Sequence, residues 1–132
     1  MRVLLDTNVL IYDSVEDSPF HEEASRIVDE NEIALSDLII HEFIWVMLKL
    51  GAPPLFIREK LKEYLQELNT LLIHGSLSVY SKALKYLETE GISYKRVNDL
   101  IIVFTAKEYD LKLATFDKRL ASLARRMGIE VL

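Results

Sequence analysis

The stretch Leu4-Leu5-Asp6-Thr7-Asn8-Val9-Leu10 sets an aspartate, a threonine and an asparagine between two apolar runs. Arg2 to Leu5 read as a short buried strand and Asn8 to Asp13 as the first turns of a helix, so the strand ends abruptly on a carboxylate. A strand without polar alternation is covered on both faces, as in parallel sheets flanked by helices. In open sheets of that kind ligands gather beyond the carboxyl ends of the strands, where strand order reverses. Asp6 follows its strand directly.

The rest of the chain repeats the pattern. Pro19 suits the first turn of a helix that carries Glu22 and Glu23 early and ends at Asn31. Glu32 to Leu35 reads as a second strand, and Ser36 or Asp37 can cap a helix that runs to Leu50 and stops at Gly51. The Ala52-Pro53-Pro54 step starts a helix with Leu55, Leu61, Leu65 and Leu68 as its apolar positions, and Thr70 to Ile73 follows as a third strand. Gly75 and Ser76 lead into a helix whose Val79, Ala83, Leu84 and Leu87 share a face and which closes at Gly91. Asn98 or Asp99 opens a helix to about Tyr109, Lys112 to Thr115 is a fourth strand, Asp117 opens a helix to Met127, and Ile129 to Leu132 is a last strand. The expectation is one α/β domain over residues 1–132, with a central parallel sheet of about five strands between helical layers.

Composition narrows the chemistry. The 132 residues are 50% hydrophobic and 28% charged and contain no cysteine, which excludes disulfides, thiolate metal sites and thiol nucleophiles. A start that reaches Asp6 so soon leaves no apolar middle for a signal peptide, and the longest apolar stretch, Phe43 to Leu48, is too short to span a membrane; a cytoplasmic protein is expected. A net charge of −5 argues against a broad basic face for nucleic acid. Local basic groups remain, and Lys118 with Arg119 is the one nearest a candidate acid. His21, His41 and His74 are scattered without metal spacing, and the four glycines are isolated helix stops rather than a phosphate-cradling loop.

Asp6, Asp99 and Asp117 each fall at an expected helix start, where the plain reading of an aspartate is a cap. Two details oppose it. Asp99 lies on the helix face of Ile102, Val103 and Ala106, where a carboxylate needs a partner, and Asn8 and Asn98 are themselves adequate caps. Glu42 shares a narrow polar strip with His41 and Lys49, so its plain reading is an exposed glutamate. Leu38 and Trp45 interrupt that strip and leave the helix apolar nearly all round, as a helix covered by another subunit or a partner protein would be. If the acids converge, their mutual repulsion calls for a proton or a cation, and an all-oxygen set selects a hard ion such as Mg²⁺ or Mn²⁺. A haloacid-dehalogenase-type phosphatase is rejected, because its second aspartate would stand where Asn8 does.

Four pieces in order, LLDTNVLIY with Asp6, SDLIIHEF with Glu42, NDLIIVFTA with Asp99 and LATFDKRL with Thr115 and Asp117, resemble the PIN-domain family. The likeness is strongest to the VapC group of ribonuclease toxins from toxin–antitoxin pairs, and it departs from that group at Ile102, Val103 and Phe104, where relatives often carry small residues. The resemblance implies an acidic Mg²⁺ or Mn²⁺ site of Asp6, Glu42, Asp99 and Asp117, with Asn8 and Thr115 as polar supports. It also implies a homodimer, a cognate antitoxin and RNA phosphodiester hydrolysis, for which Lys118 and Arg119 are candidate phosphate contacts. Two alternatives stand beside it: a non-catalytic module that docks RNA or protein, and a housekeeping nuclease of ribosomal RNA processing.

Overall fold

Every residue of the strand Val3–Leu5 (β1) and of the strand Ile33–Ser36 (β2) is buried, so both strands are covered on their two faces. A computed structural model describes residues 2–132 of the chain. After β1 come helices Thr7–Ser14 (α1) and His21–Glu30 (α2), then β2 and helix Asp37–Lys49 (α3). Helix Pro54–Lys62 (α4) runs into a π-helical turn, Glu63–Glu67, followed by strand Leu71–Ile73 (β3) and helix Leu77–Glu90 (α5). A 3₁₀ turn, Tyr94–Arg96, precedes helix Val97–Glu108 (α6), strand Lys112–Ala114 (β4) and helix Lys118–Arg126 (α7).

The strands form one parallel sheet in the order β3-β2-β1-β4. Leu4 lies opposite Ala34 on one side and Leu113 on the other. The chain moves outward from β1 through β2 to β3 and then returns to the far side of β1, so strand order reverses between β1 and β4. Their carboxyl ends, at Asp6 and Thr115, define the crevice where a ligand is expected. The expected fifth strand shrinks to a single bridge, Val131 beside Leu113. Ile129 is drawn instead to the carbonyl of Ala124 behind Gly128, whose φ of +84° reverses the chain, and this leaves too few residues for a ladder.

The core centres on Leu4, Leu5, Leu10, Leu35, Phe43, Leu100 and Leu113, with α1 packed on α2 and α3, and α6 on α5 and α7. Two sequence expectations change. In the segment after Pro54 the buried residues are Ile57 and Tyr64, with Leu61 and Leu68 partly covered, whereas Leu55 and Leu65 are exposed. The reason is polar: the Tyr64 hydroxyl reaches Asp13 and Ser14 on α1, and the π-helical turn rotates the following residues out of the 3.6-residue register. On α5, Val79 and Ala83 are buried and Leu87 is partly covered, but Leu84 is exposed. Ile102 and Val103 are buried, and Phe104 packs edge-on to Tyr86 of α5, which accommodates the bulk at these positions. Among the described residues no helix is long and apolar enough to cross a membrane.

Candidate functional site

Asp6 leaves β1 in extended conformation and caps α1, its Oδ1 accepting the Thr7 N–H at 2.8 Å. Its N–H donates to the carbonyl of Ala114 at the end of β4, which ties the two strand ends together. The Thr115 hydroxyl donates to Asp6 Oδ2 at 2.7 Å and accepts the Asp117 N–H at 3.0 Å. Asn8 closes the other side, its Oδ1 accepting the Phe116 N–H at 3.1 Å. Asp117 in turn caps α7 by accepting the N–H groups of Arg119 and Leu120. The cap reading therefore holds for Asp6 and Asp117, and capping does not remove either from the crevice.

Two expectations about caps fail. Asn8 lies within α1 and caps nothing, since Asp6 takes that role. Neither Asn98 nor Asp99 caps α6, because the preceding 3₁₀ turn carries the chain into the helix from Arg96. Glu42 is half-buried rather than an exposed glutamate: its Oε2 accepts from the Thr7 hydroxyl at 2.8 Å and its Oε1 from the Asn98 amide at 3.0 Å. The partner that Asp99 requires is Arg96, whose Nε donates to Asp99 Oδ2 at 3.0 Å.

One open cleft of about 420 Å³ is lined by Asp6, Glu42, Asp99 and Asp117 together with Asn8 and the apolar side chains of Ile11, Val46 and Ile102. Thr115 lies just behind it through its bond to Asp6. Lys118 and Arg119 are exposed next to Asp117 and do not line the cleft. Burial raises the Asp6 carboxyl to about 6, against hydrogen bonds from Thr115 and Thr7 that lower it, and the charges of Glu42 and Asp117 push it further up. Among the described residues no three His, Asp or Glu side chains stand close enough together to hold a metal ion. The acids share a cleft but do not close on one point, with Asp99 turned to Arg96 and Glu42 held by Thr7 and Asn98.

The donor set nevertheless fits a hard divalent ion: every ligand atom is oxygen, and Asp6 already feels the repulsion of its acidic neighbours, which a cation would relieve. Asp99 Oδ1 and Asp117 Oδ2 accept no hydrogen bond among the described residues, so both keep a coordinating atom in hand. Sequence reasoning missed Arg96, Thr7 and Asn98 as members of the site. Arg96 stands three residues before Asp99, a spacing that signals a pair on one helical turn, whereas the bonds of Thr7 and Asn98 to Glu42 span 35 and 56 residues and leave no local trace.

Comparison with known proteins places this geometry in context. The family model described as PIN domain matches residues 3–126. Curated proteins yield no match. Among solved structures, the chain is similar to Mycobacterium tuberculosis VapC20, described as a sarcin-ricin-loop-cleaving toxin, at 14% identity and a TM-score of 0.74 over 92% of this chain and 94% of that one. It is similar to VapBC2 of Rickettsia felis bound to a promoter DNA fragment, at 20% identity and a TM-score of 0.70 over 100% and 98%. VapBC-1 of nontypeable Haemophilus influenzae is similar at 21% identity and a TM-score of 0.65 over 100% and 97%. At these identities the likenesses show a shared fold.

Proposed function

The chain belongs to the PIN-domain family, and from that premise we propose that it is a metal-dependent endoribonuclease, the toxin of a toxin–antitoxin pair. The observation that carries this reading is the single cleft at the switch point of the sheet, lined by Asp6, Glu42, Asp99 and Asp117, which four separate chain segments deliver. Asp6, Asp99 and Asp117 would hold Mg²⁺ or Mn²⁺, and Glu42 would complete the set or serve as base. When bound, such an ion supplies positive charge against the reacting phosphodiester and lowers the pKa of water.

The chain's own residues do the rest. As base, Glu42 would take a proton from the water whose oxygen attacks phosphorus; the P–O bond opposite breaks, and the leaving oxygen is protonated from solvent. Thr7 and Asn98 orient the Glu42 carboxylate, and Thr115 and Asn8 hold Asp6 and the β4–α7 turn in place. Lys118 and Arg119 meet flanking phosphates of the RNA.

An antitoxin partner is supported by the VapBC complexes that share the fold. A homodimer is supported by α3, where Trp45 is 60% exposed with Leu48 exposed one turn on, and by the exposed Leu50, Leu55 and Phe56 that follow the helix. The direct test is cleavage of a mixed structured RNA by wild type and Asp99→Asn, each with Mg²⁺, Mn²⁺ or EDTA. Cleavage confined to wild type with metal is expected; equal cleavage by Asp99→Asn, or in EDTA, rejects the assignment.

One observation favours a second reading, a non-catalytic module that docks RNA or protein: the acids do not converge on a point. The two readings part on melting. A metal site at 100 times its dissociation constant adds about 2.7 kcal/mol of stability, whereas acids that only cap helices add nothing when Mn²⁺ is supplied.

A further inference from the structure

Beside the acidic cleft stand three aromatic rings that the proposed hydrolysis does not use. Phe20, in the turn before α2, lies 5.0 Å from Phe116 with their planes only 21° apart, and both rings meet Tyr12 of α1 at 5.3 Å. The cluster is tied to the site's own backbone. Phe116 sits between Thr115 and Asp117 with its N–H held by Asn8, and Tyr12 lines the cleft one helical turn beyond Asn8. Tyr12 is further fixed from the other side, because its carbonyl accepts from the Ser18 hydroxyl at 3.1 Å and lies 2.8 Å from His21 Nδ1. The rings are thus held in place, yet Phe20 remains 43% exposed after stacking on Phe116.

Charge around the cluster is mixed: Phe20 opens onto a surface pocket it shares with Glu16, Glu22, Glu23 and Arg26, while Lys118 and Arg119 follow Phe116 on the other side of the stack. Lys118 and Arg119 are exposed and form no ion pair among the described residues. They occupy the first turn of α7, where the helix dipole disfavours cations, so helix stability does not account for their position. Glu22 and Glu23, exposed at the start of α2 beyond Phe20, repel phosphates from that flank. A polyanion reaching the cleft is steered to the Lys118 side, while an uncharged flat group is free to lie on Phe20. Aromatic faces next to unpaired cations are the elements with which proteins hold single-stranded nucleic acid: bases stack on the rings and phosphates meet the cations.

We infer that Phe20, Phe116 and Tyr12 form a stacking platform for an unpaired base of single-stranded RNA adjoining the cleaved bond. The inference rests on the nuclease reading for the identity of the polymer and adds the form in which it is taken: unpaired, and with little preference among bases, since each base has a stacking face. A duplex cannot use the platform, because its bases are already stacked and paired.

The test is binding in EDTA, where metal-dependent cleavage is silent. A labelled, unstructured RNA of roughly ten nucleotides is titrated by fluorescence anisotropy against wild type, Phe20→Ala, Phe20→Leu and Phe20→Trp, and again after annealing to its complement. Phe20→Ala and Phe20→Leu are expected to weaken single-strand binding by about 10-fold, within the range for one stacked base, while Phe20→Trp holds or tightens it and duplex binding does not change. Wild-type affinity in Phe20→Leu with loss in Phe20→Ala makes Phe20 a packing residue and overturns the inference. Equal affinities overturn it too, as does a wild type that binds no single strand. Melting curves establish that each variant is folded. The two readings fail separately: the expected binding pattern without cleavage in any metal removes the nuclease and keeps the platform, whereas cleavage and RNA affinity equal in wild type and Phe20→Ala do the reverse.

Discussion

The Thr115 hydroxyl donates to Asp6 Oδ2 at 2.7 Å across 109 residues of sequence and binds the ends of β1 and β4 into one corner. The same oxygen accepts the Asp117 N–H, so a single side chain sets the spacing between two of the cleft's acids. Thr115→Val keeps the shape and removes both bonds. It is expected to lower RNA cleavage by about 10- to 100-fold, as loss of an orienting partner does. Cleavage rates compared with wild type at saturating Mn²⁺ check it; an unchanged rate would separate Thr115 from the chemistry.

Asp6 titrates against the stability of the fold. Its carboxyl is raised from the ordinary 3.8 to about 6 chiefly by burial, so the folded chain holds this proton more tightly than the unfolded one. The stability from that linkage is full below about pH 3.8 and is lost as pH rises through about 6. Asparagine caps α1 as well as aspartate does and carries no charge. Metal-free Asp6→Asn is therefore expected to be more stable than wild type at pH 7.5 by about 2 to 3 kcal/mol, a gap that closes by pH 4. Thermal melting at the two pH values measures it, and a less stable variant at pH 7.5 would mean that the charge on Asp6 is compensated in the fold.

Arg96 holds Asp99 through its Nε, although one of its own guanidinium nitrogens, Nη2, is enclosed without a partner among the described residues. A cation at the start of α6 also opposes the helix dipole. A cation taken up at Asp99 Oδ1 meets the charge that Arg96 already holds against Oδ2. Arg96→Met is expected to bind Mn²⁺ several-fold more tightly than wild type by calorimetric titration, and Arg96→Lys to fall between them. Weaker binding in Arg96→Met would show instead that the arginine holds Asp99 in a competent orientation.

Trp45 tests the association of chains. If α3 is a homodimer face, wild type elutes at twice the 15.3 kDa chain mass, and Trp45→Glu shifts it to the monomer without unfolding it. Light scattering after size-exclusion chromatography reads the outcome directly, and a wild-type monomer would assign the face to another partner.

Local chemistry in the chain was enough to read the parallel sheet, because apolar runs without alternation, separated by helix-length segments with caps and glycine stops, admit few arrangements. It was enough to single out Asp6 and Asp117 as well, since Asp6 follows its strand directly and Asp117 stands just beyond one. The last strand, expected over Ile129 to Leu132, does return beside β4 but is reduced to a bridge at Val131, because a glycine turn and a bond to Ala124 take up Ile129. The register of the α4 segment failed because periodicity cannot register the hydroxyl of Tyr64, which is buried through its bonds to α1.

What the tertiary structure alone decided is which side chains meet. Glu42 looks like any exposed helix glutamate until Thr7 and Asn98 fold onto its two oxygens. Phe20 and Phe116 are ordinary surface aromatics until the chain, 96 positions further on, returns to stack them beside Asp117. Secondary structure follows from interactions within a few residues, whereas a cleft follows from bonds between positions tens of residues apart, whose partners are specified only once the sheet has set its strand order.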